Sequence, residues 1–360
     1  MSDVVESVPH RRALGVVGVG IVVVLLVAGL LWAKWLPYGA KVDSLAHTRA
    51  WAGSAIFGSS GDPGSTPTVS GAWEFWRTYF LAVWKAAVVA LVVAAALESL
   101  VPRRWLVGLL SRPTTVGQSV LAGVLALPSM MCTCCTAPVT VGLRRSGAPA
   151  AASAAYWVAN PLLNPAVVVF LSLTLPWQYA AVRVIVGAAV VLAAGVVAGA
   201  LARRPARSLR AGGAPSLPMA PAPLRWRDLP ARFVRSLVRY LLILVPEYVV
   251  VVLVTGWLSG WLSDFAGLDR AAGPLALLAV GVVGALLVIP TGGEIPVVAG
   301  LAAAGAGLGV LGVLLVTLPA LSVPSMVMVG RALSWRATAA LAGVVVLGGL
   351  AAAGLLTALS

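Results

Sequence analysis

Cys132, Cys134 and Cys135 fall within four positions of one another inside PSMMCTCCTAP, Pro128–Pro138, and the chain holds no other cysteine. Thiols this close are soft ligands, suited to trivalent arsenic or copper(I). Two adjacent cysteines make a poor disulfide framework, because a bridge needs Cβ atoms at a defined separation and orientation. No histidine or further cysteine completes a structural zinc set. The competing reading is that they are small buried residues, since free cysteine is often buried without chemistry. Thr136 is placed to cap a short helix starting near Pro138, whose missing N–H is harmless in a first turn. The positive end of that helix would point at the thiols and favour thiolate, against the opposing effect of apolar surroundings.

Other polar residues stand at comparable places. Glu294, in PTGGEIP, opens a helix near Pro296 and would be stabilised there by the helix dipole. It could carry a coupling proton, balance a cationic substrate, or simply cap the helix. Asn160 and Asn164 lie one turn apart in NPLLNP, where each proline frees a backbone carbonyl; they either line a site or satisfy those carbonyls. LPALSVP, Leu318–Pro324, makes a similar break. Lys85 and Glu247 sit deep in apolar segments and either pair with each other or, for Lys85, snorkel to an interface.

The elements that must position these residues are membrane helices. Of 360 residues, 60% are hydrophobic and only 10% charged, with a mean hydropathy of +1.00, far outside the range of soluble domains. The net charge of +14 does not indicate nucleic acid, because the basic residues cluster between apolar runs rather than over a face. Crossings need about 20 apolar residues. Seven segments qualify: Ala13–Trp32, Trp76–Leu100, Pro149–Leu175, Tyr179–Leu201, Phe233–Leu258, Gly305–Val329 and Arg336–Thr357. The first resembles a signal peptide but lacks a cleavage site and is read as a retained helix. Thr115–Ser146 and Ala271–Ala304 are apolar but interrupted, as re-entrant hairpins would be.

The expected organisation is an N-terminal helix (1–33), a flexible extracytoplasmic loop (34–73), a first permease repeat (74–202), a basic Pro-rich cytoplasmic linker (203–231) and a second repeat (232–360). A shift of 158 residues aligns PVTVGLRRSGA, Pro138–Ala148, with PVVAGLAAAGA, Pro296–Ala306, and pairs Pro161 with Pro319, Leu163 with Leu321 and Trp177 with Trp335. It also places Glu294 opposite Thr136, whereas Lys85 and Glu247 correspond at a shift of 162. Arg103, Arg104, Arg112, Arg144, Arg145 and the linker read as cytoplasmic, whereas Asp264 and Asp269 share a loop with only Arg270. The fold expected is an all-α polytopic membrane protein: an inverted-topology repeat of three spanning helices plus a re-entrant hairpin per half, with one extra N-terminal helix. Inverted repeats with broken segments in corresponding positions point to a transporter's midplane site.

At these residues the sequence resembles the organoarsenical efflux permease family, the ArsP-type predicted permeases. Cys132-Thr133-Cys134-Cys135-Thr136-Ala137-Pro138 matches that family's C-x-C-x-x-x-P motif, with Cys135 where glycine is usual. Glu294 and the Asn-Pro break are also similar, and the likeness runs from about Phe75 onward, leaving out the N-terminal helix and its loop. The resemblance implies export of trivalent organoarsenicals, with Cys132 and Cys134 binding the metalloid; Cys135, a departure from the family pattern, adds a third thiol that could assist.

The function expected is therefore a permease, not an enzyme, that moves a thiophilic solute by alternating access and needs no resident cofactor. Its setting is a bacterial cytoplasmic membrane with the N-terminus cytoplasmic. Its partners are the solute and the lipid bilayer, with no nucleic acid; a homo-oligomer is compatible with the sequence. The absence of a G-x-x-x-x-G-K-[ST] loop leaves an ion gradient or a separate protein as energy source. The alternatives are a permease for another soft metal or sulfur-containing solute, a passive channel, and a membrane thiol-disulfide oxidoreductase, whose usual motif is C-x-x-C.

Overall fold

The computed structural model describes residues 7–51, 66–210, 228–262 and 273–360. Among them the chain forms helices joined by turns, with no strand. Asp264, Asp269 and Arg270, the middle of the 34–73 stretch and most of the basic linker lie outside the described residues.

Helix α1, Ser7–Leu30, passes through a π turn at Leu31–Trp35 into α2, Leu36–Thr48. The helix expected to end at Trp32 thus continues, and the start of the stretch read as loop is helical. Pro37 is the reason. It lacks an N–H and would strand the carbonyl of Ala33 in a regular helix. The Leu36 N–H instead bonds the carbonyl of Leu31, five residues back, and this wider turn carries the helix past the proline.

The first half follows with α3, Val69–Leu100, α4, Arg103–Leu110, α5, Thr115–Ala126, α6, Thr133–Arg145, α7, Ala150–Leu162, α8, Pro165–Thr174, and α9, Trp177–Arg210. The second half comprises α10, Leu229–Leu262, α11, Pro274–Leu286, α12, Glu294–Ala303, α13, Leu308–Ala320, α14, Val323–Ala332, and α15, Trp335–Leu359. Among the described residues six helical segments, α7 with α8 counting as one, are long and apolar enough to cross a membrane, and α13 with α14, bent by 50°, makes a seventh. All seven expected crossings are present. The outer faces expose Leu81, Leu242 and Leu347, an apolar exterior suited to lipid. The chain is an integral membrane protein.

The interrupted segments are α5 with α6 and α11 with α12. Their arms hold 12, 13, 13 and 10 residues, each too short to span about 30 Å of hydrocarbon. The arms lean on the spanning helices: α5 packs on α7 and α9, α6 on α3, α7 and α14, α11 on α13 and α15, and α12 on α13.

Moved by 158 residues, α7, α8 and the first residue of α9 land on α13, α14 and the first residue of α15. The repeat seen in the sequence is therefore carried by the helix boundaries themselves. At the centre, α7 and α13 are buried almost throughout. Gly312 lets α13 cross α15 closely, since a Cβ there would lie 2.7 Å from Cα of Ala353. Small residues at such crossings allow the backbone approach on which helix packing in lipid depends.

Candidate functional site

The cysteine break follows a 3-10 turn at Leu127–Ser129 and a left-handed Met130. Helix α6 starts at Thr133 with Cys132 as its N-cap, five residues before Pro138. The expected cap, Thr136, lies inside the first turn, and its hydroxyl donates to the carbonyls of Cys132 (2.8 Å) and Thr133 (3.0 Å). Pro138 sits in the helix interior and leaves the carbonyl of Cys134 without its usual i+4 donor.

All three thiols are free and buried. Cys132 Sγ lies 3.1 Å from Cys135 Sγ, whereas Cys134 Sγ shares a 3.0 Å hydrogen bond with Ser322 Oγ. Helix geometry explains the partition: positions three apart share a face and positions two apart do not. On the face carrying Cys134, Thr133 donates to Ser325 (3.0 Å) and Ser322 donates to Ser325 (3.1 Å). The first break is thereby docked on the start of α14, in the other half.

Asn160 pins this break from α7. Its Oδ1 accepts from the Ser129 hydroxyl and, at 3.3 Å, from the Met131 N–H, and its Nδ2 donates to the Tyr156 carbonyl. Asn164 caps α8, accepting from the N–H groups of Ala166 (3.1 Å) and Val167 (3.4 Å). Both amides thus hold backbone.

The freed carbonyls are satisfied by a residue that the sequence reading passed over. Arg183 of α9 is fully buried. Its Nε donates to the Leu162 carbonyl (2.8 Å), Nη1 to the Leu315 carbonyl, and Nη2 to the Pro161 carbonyl (2.8 Å) and to Glu294 Oε1 (2.9 Å). Pro165 and Pro319 free the carbonyls of Pro161 and Leu315, four residues earlier in each case. The Ala166 N–H that would take Leu162 goes to Asn164 instead. One guanidinium therefore serves the proline breaks of both halves, and Glu294 neutralises it. A lone arginine inside an apolar span was the available signal, since such charges are functional or structural by default.

Glu294 itself is in the first turn of α12, with Oε2 buried and unpartnered. It lines a cavity of about 10 Å³ together with Cys132, Pro161, Ile289, Pro290, Thr291, Gly292 and Pro319, space for about one water. Both breaks and both proline-broken helices converge there.

Lys34, in the π turn, is the second residue the sequence reading missed, because it lies beyond the expected end of that helix. It is buried; its Nζ donates to Tyr38 Oη (2.8 Å) and Thr291 Oγ1 (3.2 Å). The neighbouring Trp35 donates to the Pro128 carbonyl at 2.8 Å. The N-terminal helix thus touches both breaks.

Lys85 and Glu247 do not meet. Glu247 Oε2 accepts from Arg331 at 2.9 Å, and Lys85 Nζ lies 5.5 Å from the Trp32 ring centroid and 5.9 Å from that of Trp84. Helix α10 packs on α14, so a guanidinium reaches the carboxylate while the lysine faces the N-terminal helix.

A family described as predicted permease, ArsP_1, matches residues 68–358. UPF0718 protein YraQ of Escherichia coli (strain K12) is 35% identical over 344 residues, covering 91% of this chain and 92% of that protein. No solved structure matches. A buried, thiol-bearing break set among helices able to cross a membrane, with a family match spanning both halves, places the chain in the ArsP-type predicted permease family.

Proposed function

We propose that this permease exports a thiophilic solute, trivalent organoarsenicals foremost, from the cytoplasm of a bacterium through the site at Cys132 by alternating access. The observation that carries the reading is the convergence of the cysteine break, the Glu294 break and the two proline-broken helices on one cavity. In an inverted-repeat transporter the substrate site lies where such segments meet. The two halves are then inverted relative to each other, with the N-terminus cytoplasmic.

The paired thiols are Cys132 and Cys135, 3.1 Å apart, rather than Cys132 and Cys134. Two S–H groups and an R–As(OH)2 centre condense to a dithioarsenite, forming two As–S bonds and releasing two waters; hydrolysis on the opposite side reverses the step. Glu294 Oε2 is placed to accept from an As–OH before condensation. A cavity of about 10 Å³ admits no such solute, so opening at one end and then the other is part of the cycle.

The test is accumulation of trivalent methylarsenic in an arsenic-sensitive bacterial host, with arsenite and copper(I) as comparison solutes. Lower accumulation with the wild type, abolished by Cys132→Ser or Cys135→Ser at equal protein level and only weakened by Cys134→Ser, is the expected result. Equal accumulation in all strains would sink the arsenical assignment.

A second reading rests on the same pair. Cys132 and Cys135 stand in C-x-x-C spacing at a helix N-terminus, the arrangement of dithiol redox motifs. A reversible disulfide with a defined potential, kept in Cys134→Ser, would favour thiol-disulfide exchange over transport.

A further inference from the structure

We infer that the transported solute is an anion: a thiophilic centre that carries a separate acidic group, seated on Lys34. The inference rests on the thiol-export reading above and narrows its substrate class. Its ground is the charge inventory around the cavity. Arg183 and Glu294 neutralise each other at 2.9 Å. Lys34 is also buried and makes no ion pair among the described residues. Its hydrogen-bond partners, Tyr38 and Thr291, are neutral hydroxyls. Thr291 itself lines the cavity beside Cys132 and Glu294, so the ammonium is one side chain removed from the thiols. A buried ammonium needs a compensating charge; once Cys132 and Cys135 are bonded to the soft centre neither thiol can supply it, and an acidic group on the bound solute does.

The same helix face extends the feature. Lys41 lies two turns beyond Lys34 and also makes no ion pair among the described residues. Its Nζ stands 3.3 Å from the Trp51 ring centroid and 5.8 Å from that of Phe170. Tyr38 stacks edge-on against Phe170 at 5.6 Å, and Trp51 packs over Gly292, a cavity-lining residue. Two lysines and an aromatic wall thus run from the end of α2 to the thiols. A path lined by one sign of charge between low-dielectric walls concentrates ions of the opposite sign. The roles divide cleanly. Cys132 and Cys135 bind the soft centre, Glu294 Oε2 accepts from its hydroxyl, and Lys34 takes the acidic substituent. The N-terminal helix is on this account a specificity element of the permease.

The experiment uses the full chain in proteoliposomes and two probes, phenylarsine oxide and its para-carboxylate, which share the arsenic chemistry and differ by one negative charge. The wild type is expected to transport the carboxylate faster than the neutral probe. Lys34→Met should lower the ratio of the two rates about tenfold or more, the effect of removing a charge-assisted hydrogen bond. Lys34→Arg should keep the ratio. Lys41→Met should slow the carboxylate in a salt-dependent way. A wild type that prefers the neutral probe overturns the inference, and that comparison needs no variant to fold. An unchanged ratio in Lys34→Met also overturns it, while leaving thiol-dependent export in place. Transport of neither probe by the wild type would remove the arsenical reading and this inference with it.

Discussion

The two breaks occupy corresponding places in the repeat and are built in opposite ways. Residues 132–136 hold three thiols and two hydroxyls; their counterparts 290–294 hold a proline, a threonine, two glycines and a carboxylate. The first and its flanks are pinned by neutral hydrogen bonds to Asn160, Ser322 and Ser325 and by one that Trp35 donates. The second is held by one buried ion pair and by the N-terminal helix. The difference shows that a common register does not dictate common chemistry. The helices that follow the two breaks have identical boundaries under the shift, and non-identical side chains give one break three thiols and the other a carboxylate.

The sharpest way to break that contrast is at Arg183. Arg183→Met leaves a buried carboxylate and three carbonyls without donors, so a loss of about 3–5 kcal/mol is expected, read as thermal unfolding of the detergent-purified protein. Adding Glu294→Gln should recover part of it, because no uncompensated charge then remains. A single variant as stable as wild type would show that the pair does not hold the halves together.

Next in size is Asn160→Ala, which strips Ser129 and Met131 of their common acceptor at a cost of about 1–3 kcal/mol. The first break should loosen selectively, so alkylation of Cys132 should accelerate. If the cysteines alkylate at the wild-type rate, Asn160 is not what orders them.

Gly292→Ala probes the second break. Its φ of +80° disfavours any side chain by about 1–2 kcal/mol, and the added Cβ would meet the Trp51 ring at 3.1 Å. Lower thermal stability is expected, with part of it recovered by Trp51→Ala; recovery of none would mean that the backbone alone carries the effect. The smallest change is Trp35→Phe, which removes one hydrogen bond to the first break, about 0.5–1.5 kcal/mol. It should be detectable as a modest fall in unfolding temperature, whereas a large fall would assign Trp35 a packing role as well.

Much of this organisation was legible beforehand. The crossings follow from runs of about 20 apolar residues, and the repeat from two prolines and a tryptophan in one register. The boundaries that moved did so for local reasons: α6 begins at Thr133, capped by Cys132, rather than near Pro138, because a helix interior tolerates that proline when the freed carbonyl of Cys134 lies in a protein-lined site. The pairing of Lys85 with Glu247 failed because a common depth in two helices does not specify a common face.

By itself the sequence determined the class of protein, the crossings, the duplicated register and the clustering of the thiols, all properties of neighbouring residues or of one repeated pattern. Only the tertiary structure decided which sulfurs meet, that Arg183 serves the proline breaks of both halves, and that a lysine from the N-terminal helix reaches Thr291 in the second break. Those contacts join residues separated in the chain by up to 257 positions. Hydropathy reports depth in a membrane but not direction around a helix axis, and direction is what brings two side chains together.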